Sequence, residues 1–241
     1  VTPIPLAESC AWDPELWQKT ARMSAEEATA AGIHMTFAPM VDVAKDARWG
    51  RVSEGAGEDT LLNGYYGAAK VRGFQGPDLL QADAMAACLK HFAAYGAGEA
   101  GKDYNRVDMS AQRLWEEYLP AYKACIDAGA RAVMPAFNDL NGVPCTVNEW
   151  LLRDVLRDEW GFDGTVVSDW FGMHSTVEAL VAGCDIEMPG PPRNRGPKLL
   201  AAIESGAVSE ADVDRAVARV LALAEWTGAG THGTDEVTAE D

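Results

Sequence analysis

Apolar positions along this chain alternate between two periods. Asp13-Pro14 opens a helix, with a capping carboxylate followed by proline at the first helical position, and Gly32 is its stop. IHMTFAPMVDV (33–43) then reads as a buried strand, RWGRVSEGAGED (48–59) as a polar loop, and about Leu61 to Arg72 as a helix. The cycle repeats. AMAACLKHFAAYG (84–96) reads as a helix end plus a strand, SAQRLWEEYLPAYKACIDAG (110–129) as a helix ended by glycine, and RAVMPAF (131–137) as a strand. NEWLLRDVLRDEWG (148–161) is a helix capped by Asn148, with Leu151, Leu152, Val155 and Leu156 on one face. TVVSDW (165–170) and CDIEMPG (184–190) are strands, and the last helix, after Ser209, carries Val213, Val217, Val220, Leu221 and Ala224 at helical spacing.

Strands alternating with helices imply parallel βα units. No GxGxxG or GxxxxGK[ST] fingerprint is present, which removes the main support for a nucleotide-binding doubly wound sheet. The expected fold is therefore α/β, a TIM-like (β/α) barrel. About five units are visible against the eight of a closed barrel. The barrel is thus expected to be incomplete, its first strands lying upstream of Val1, unless one strand has been missed. Residues 1–226 form the expected barrel domain, and the Gly/Thr/acid-rich stretch 227–241 reads as a linker.

Charge narrows the classes of partner. The net charge of −17 argues against nucleic acid or an anionic membrane bound through a basic surface. No apolar run approaches the roughly 18 residues that span a bilayer. Without an initiator Met or a basic-then-apolar leader, the chain is expected to begin after processing or inside something longer. Five cysteines with no CxxC spacing argue against zinc, and Cys88, Cys125 and Cys184 lie in apolar contexts that suit buried thiols.

In a parallel barrel, functional groups gather at the C-terminal ends of strands. Those ends collect Asp42, Arg51 in the following loop, Lys90-His91, Asn138-Asp139, Ser168-Asp169-Trp170 and Glu187. Bases, carboxylates and an indole suit a neutral polyhydroxylated ligand, since charged groups grip hydroxyls directionally and tryptophan gives a sugar face a flat apolar wall. Each has a plainer reading. Lys90 and His91 could be a buried ion-pair partner and a core histidine, Asp169 a helix cap, Trp170 core, and Arg48 and Arg51 solvated loop charges. Asp42 and Asp46 are expected to hold loop amides or Arg48, and Glu187 to pair with Lys or Arg across the mouth.

ARWGR with the following SEGAGED, then CLKHFAAYG, then GFDGTVVSDWFG, occur in an order and spacing that resemble the N-terminal barrel domain of glycoside hydrolase family 3, the β-glucosidase-type enzymes. KHF and SDW lie a little under 80 residues apart, with RWGR about 40 before KHF, and the likeness runs from PIPLAESCAWDPELW through the last helix. The resemblance implies a retaining exo-β-glycosidase acting on β-glucosides or related oligosaccharides. It implies Asp169 as nucleophile, Arg51, Lys90 and His91 as holders of the sugar hydroxyls, and Trp170 on the aglycone side. It implies no metal and no organic cofactor.

Three departures accompany the resemblance. Phe137 stands where family members often have tyrosine. A sugar-gripping aspartate of the family belongs on a strand before Val1. The general acid/base is commonly supplied by a C-terminal α/β sandwich domain, and KHFAAYGAGEAGKDYN lacks the KHFPGHGDT-like stretch of the subgroup that uses a barrel-loop histidine. The isolated chain is accordingly expected to be weakly active or inactive. A non-catalytic carbohydrate-binding barrel is the alternative from another class, and a lyase using Lys90 as an imine-forming amine is a third.

Overall fold

The computed structural model describes residues 2–229. Its helices begin where the sequence supplies acceptors for their first amides. After the short α1 (Pro5–Ser9), α2 (Pro14–Ala30) starts with Asp13 Oδ1 accepting the N–H groups of Glu15 and Leu16 at 3.0 and 3.1 Å. α3 (Thr60–Gln75) starts with Asp59 accepting from Leu62 at 2.7 Å. The third helical region runs from Ala111 through a π-helical segment, Leu114–Tyr118, into α4 (Leu119–Asp127). Pro120 has no N–H to give the Glu116 carbonyl, so the α-helical ladder is broken where the π segment ends. In the 148–161 helix, Asn148 Oδ1 accepts the Leu151 N–H at 3.1 Å, and Leu151, Leu152, Val155 and Leu156 are buried as the spacing predicts. Trp150–Glu159 also winds with π-type bonds. α5 (Val177–Ala182), α6 (Pro197–Glu204) and α7 (Glu210–Trp226) complete the set, α7 opening with a Ser209–Asp212 capping box.

The strands are β1 (Met35–Thr36), β2 (Ala86–Phe92), β3 (Ala132–Pro135), the hairpin pair β4 (Asp139–Leu140) and β5 (Val143–Pro144), and β6 (Thr165–Val166). β1, β2, β3 and β6 pair in that order, all parallel. A bridge from Val167 to Ile186 extends the arc by one more segment. Among the described residues β1 and Ile186 do not meet, so the sheet is an open part of a TIM-like barrel. Side chains alternate between its two faces up to the register slip near the end of β2. Ala87, Leu89, Val133 and Val166 pack into the main core with the helices, whereas Cys88, Ala132, Met134 and Val167 form a small cluster with Phe37, Ile186 and Met188 on the other face.

Three expected strands are shorter than their apolar runs. In 33–43 the ladder stops after Thr36 and resumes at one bridge, Met40 to Lys90, because Pro39 between them has no N–H to donate. In 184–190 the Asp185 carboxylate accepts the Val166 N–H at 2.8 Å, taking the place of a strand carbonyl and leaving only the Ile186 bridge. In 165–170 only Thr165 and Val166 are in register with β3, with Val167 adding the single bridge to Ile186. The helix end expected around residue 84 is instead a turn, closed by the Ala84 N–H on the Gln81 carbonyl at 3.0 Å. On α7, Val217 and Leu221 are exposed, and with Val213 and Val220 they line a groove against Leu180 and Leu199. Cys88, Cys125, Cys145 and Cys184 are buried free thiols, with burial pushing Cys184 up to about 12. The proposed linker lies outside the described residues, apart from its first three.

Backbone approach between helices depends on small residues. A Cβ at Gly67 would stand 2.5 Å from both Cys125 Sγ and Val41 Cγ1, and one at Gly73 2.5 Å from the Ala21 methyl and 3.2 Å from the Arg22 nitrogen. The second obstruction includes backbone of α2, which no rotamer change can relieve. Gly73→Ala is therefore expected to lower unfolding free energy by about 1–3 kcal/mol despite the better helix propensity of alanine, checked by urea denaturation. Unchanged or increased stability would show that α2 and α3 are free to separate.

Candidate active site

Four loop and strand ends converge. β2 carries Lys90 and His91 at its end, where its register against β3 slips between Lys90 and Phe92. The Lys90–His91 and Phe92–Ala93 peptide bonds are cis. A register irregularity of this kind re-aims side chains that strict alternation would send to opposite faces. β6 continues into Ser168-Asp169-Trp170, the segment after β1 supplies Asp42, and Arg51 precedes a 3₁₀ turn, Val52–Glu54.

His91 is the centre of the cluster. Its ring is buried, with Nδ1 2.7 Å from Asp42 Oδ2 and Nε2 3.4 Å from Asp169 Oδ2. Asp42 also accepts the His91 backbone N–H at 3.0 Å and the Tyr122 hydroxyl at 2.6 Å. Asp169 Oδ1 accepts the Trp170 N–H at 2.6 Å, and the next helix begins only at Val177, so this carboxylate is not a helix cap. Lys90 and Asp169 both act on the buried Cys88 thiol: burial raises it, the Lys90 charge lowers it and the Asp169 charge raises it. Trp170 is half exposed and meets the edge of Phe37, at 6.2 Å between ring centroids, so it is not core.

Arg51 forms a two-pronged pair with Glu54, at 2.7 and 2.9 Å, and lies over the Tyr95 ring at 5.5 Å. Burial works against its charge, but Glu54 and then Tyr95 hold Arg51 above its ordinary value. Lys90 Nζ stands 3.8 Å from Glu54 Oε2. Beside Lys90 and Glu54 opens a cavity of ≈ 290 Å³, walled partly by Phe37, Pro39 and Met40. Among the described residues no group of three or more His, Cys, Asp or Glu side chains is arranged to hold a metal ion.

Other candidates from the sequence have different duties. Asp46 binds Arg48 through both oxygens and is held at about 2, chiefly by the Arg48 side-chain and backbone hydrogen bonds. Asn138 is buried against the Ala93 carbonyl, and Asp139 is exposed on the β4–β5 hairpin. Ser168 accepts the Met188 N–H at 2.8 Å. Among the described residues Glu187 forms no salt bridge with a basic side chain: its carboxylate accepts the backbone N–H groups of Arg193, Asn194 and Arg195 at 2.9 to 3.0 Å. Three amides of one tight loop already satisfy that acid, which leaves no call for a cation.

Sequence reasoning missed Glu54, Tyr95 and Tyr122. Glu54 sits three residues after Arg51, a spacing that could have flagged a pair on a helical turn. Tyr95 packs edge-on against Trp49 and His91 and tilted against Phe137, which makes it the aromatic hub of the site. Tyr122 lies mid-helix with nothing nearby in sequence to mark it.

Residues 1–223 match the glycosyl hydrolase family 3 N terminal domain. A periplasmic β-glucosidase of Salmonella typhimurium is 45% identical over 234 residues, covering 92% of this chain and 30% of that protein. A β-xylosidase of Formosa agariphila is 46% identical over 173 residues, 70% of this chain and 24% of its own. The crystal structure of a β-glucosidase from Listeria innocua superposes with a TM-score of 0.90 at 47% identity, over 95% of this chain and 33% of that one. The chain thus spans between about a quarter and a third of the length of these relatives. It belongs to glycosyl hydrolase family 3, and what it represents is that family's N-terminal domain.

Proposed function

We propose that this chain is the barrel domain of a retaining exo-β-glycosidase of the β-glucosidase type, with Asp169 as nucleophile. The observation that carries the reading is the 3.4 Å approach of the Asp169 carboxylate to His91 Nε2, beside a half-exposed Trp170. The relatives named β-glucosidase, and the Listeria innocua structures with glucose and with laminaribiose, support a β-linked glucoside as the substrate class.

A retaining mechanism uses two carboxyl groups about 5–5.5 Å apart, one attacking the anomeric carbon and one protonating the leaving oxygen. Asp169 would form the covalent glycosyl ester, which water then cleaves with retention. Arg51, Lys90 and His91 would hold the sugar hydroxyls, and the gain that matters is the part realised only as the ring flattens. Trp170 would face the aglycone. Of the nearby acids, Asp42 is engaged by His91 and Tyr122, and Glu54 by Arg51. The general acid is therefore assigned to the C-terminal α/β sandwich domain, with 227–241 as the linker toward it.

Glu54 governs how the two basic side chains are presented. The Arg51 hydrogen bonds hold its carboxyl below the ordinary 4.5; burial opposes this, and the charges of Arg51, Lys90 and His91 assist. A carboxyl depressed in the folded state adds stability above its unfolded value and loses it as pH falls through the folded one.

Three outcomes are expected. In the full-length protein, Asp169→Asn should cut kcat on an aryl β-glucoside by at least about 1,000-fold with the fold intact by circular dichroism. A 2-deoxy-2-fluoroglucosyl adduct should map to Asp169 by mass spectrometry in the wild type, while sugar binding without any adduct would favour a non-catalytic barrel. Separately, the stability difference between wild type and Glu54→Gln, followed by urea denaturation, should be level above about pH 5 and shrink below it. A difference independent of pH would mean that Glu54 is not held as an anion by Arg51.

A further inference from the structure

A second polar cavity, of ≈ 340 Å³, has Asp185 in its wall. The Asp185 carboxylate accepts the Val166 N–H near the start of β6, so this cavity lies at the N-terminal end of the sheet, away from Asp169. Four arginines line it: Arg153 and Arg157 from the 148–161 helix, Arg215 and Arg219 from α7. Arg157 and Arg219 divide the one Asp185 carboxylate between them, at 3.0 and 2.9 Å. Arg215 pairs with Asp212, an acid that also accepts the Ser209 N–H at 3.2 Å. The Ser209 hydroxyl holds Asp212 below its ordinary value, with the charges of Arg215 and Arg153 assisting. With Asp158 added, arginines outnumber acids in this wall by four to three. Outside the wall Arg153 meets Glu149 at 3.3 Å, an exposed pair of a kind that contributes little.

Arg157 is the fixed charge behind this wall. Its side chain is 9% exposed, and Nη1 donates to the Phe162 and Gly164 carbonyls at 3.1 and 3.0 Å. Its Nε is buried without a hydrogen-bond partner among the described residues. Burial pulls Arg157 down to about 10, Asp185 opposing and the Arg219 charge adding to it, so it remains a cation at neutral pH. A Cβ at Gly183 would lie 3.7 Å from Arg157 Nε and 4.0 Å from Arg153 Cγ, so glycine leaves the cavity open between these two side chains.

We propose that this cavity binds a doubly charged oxyanion, free phosphate or the phosphoryl group of a small phosphomonoester, held by Arg153, Arg215 and Arg219 with Arg157 behind them. Guanidinium groups present paired N–H donors that match such oxygens. The volume is that of a small-molecule site. A dianion is repelled by most of a chain with net charge −17, and a local excess of arginine is what reverses that field. Bound there, it would tie the 148–161 helix to α7, independently of any chemistry at Asp169.

Isothermal titration calorimetry of the full-length protein with inorganic phosphate, at constant ionic strength, should show saturable binding with a Kd of about 1 mM or tighter. Phosphate should also raise the unfolding temperature above that in chloride of equal ionic strength. The double variant Arg153→Gln/Arg215→Gln replaces side chains that are 51% and 59% exposed, so it should fold, and it should weaken binding by about 10-fold or more. Arg106→Gln, which removes an exposed arginine outside the cavity, should leave the Kd unchanged. Glucose 6-phosphate binding more tightly than phosphate would support the site as one for a phosphomonoester, and equal or weaker binding would support the free ion. No saturable binding of either compound, undiminished binding by the folded double variant, or an equal loss in Arg106→Gln would each overturn the proposal. Hydrolysis of an aryl β-glucoside by the double variant should match the wild type, and failure of this site leaves the Asp169 assignment untouched.

Discussion

A buried carboxylate needs donors, and at Asp42 that requirement organises the mouth of the sheet. Left unpaired in the interior, such a charge would cost several kcal/mol. Its three donors come from the end of β2 and from the middle of α4, while Asp42 itself belongs to the segment after β1. One side chain therefore ties a strand end, a loop and a helix together, and the His91 ring is held by that tie. Because Nδ1 is drawn inward, the opposite edge of the ring is turned toward Asp169.

The surplus of negative charge has a local counterpart. Although the chain carries a net −17, its mouth holds Arg51 and Lys90 beside one shared anion, Glu54. Arg51 is clasped by both Glu54 oxygens and rests on Tyr95, so its guanidinium is fixed in plane. Tyr95 in turn is braced by Trp49, His91 and Phe137. Trp49 donates its indole N–H to Asp103 at 2.9 Å, which anchors the RWGR loop to the segment beyond β2. Polar grip and aromatic wall are thus parts of one packed unit, suited to a neutral ligand with both hydroxyls and an apolar face.

Most helices could be read in advance because their signals are local. Asp13 with Pro14, Asn148 and Ser209 each supply an acceptor within three residues of the amide they cap, and the 148–161 stripe repeats at the helical period. The strands were read as too long for a physical reason: an apolar run looks the same whether its amides enter a ladder or find other partners. Asp185 taking the Val166 N–H, and Pro39 lacking one, are enough to shorten two of them. The π-type winding at Leu114–Tyr118 depends on where Pro120 leaves a carbonyl unmatched, a detail that periodicity does not register.

The site divides along the same line. Arg51, Lys90, His91, Asp169 and Trp170 were nameable from strand ends and motif order, since a parallel sheet brings successive strand ends to one side whatever their separation in the chain. Their partners were not. Tyr122 lies 80 residues from Asp42 and 31 from His91, and Trp49 lies 54 from Asp103. Local spacing carries no trace of such pairs, because they exist only after helices have packed on the sheet and a buried polar atom has taken whichever donor that packing left within reach. Glu187 illustrates this from the other side: its composition suggested a cation across the mouth, and loop closure gave it three backbone amides instead.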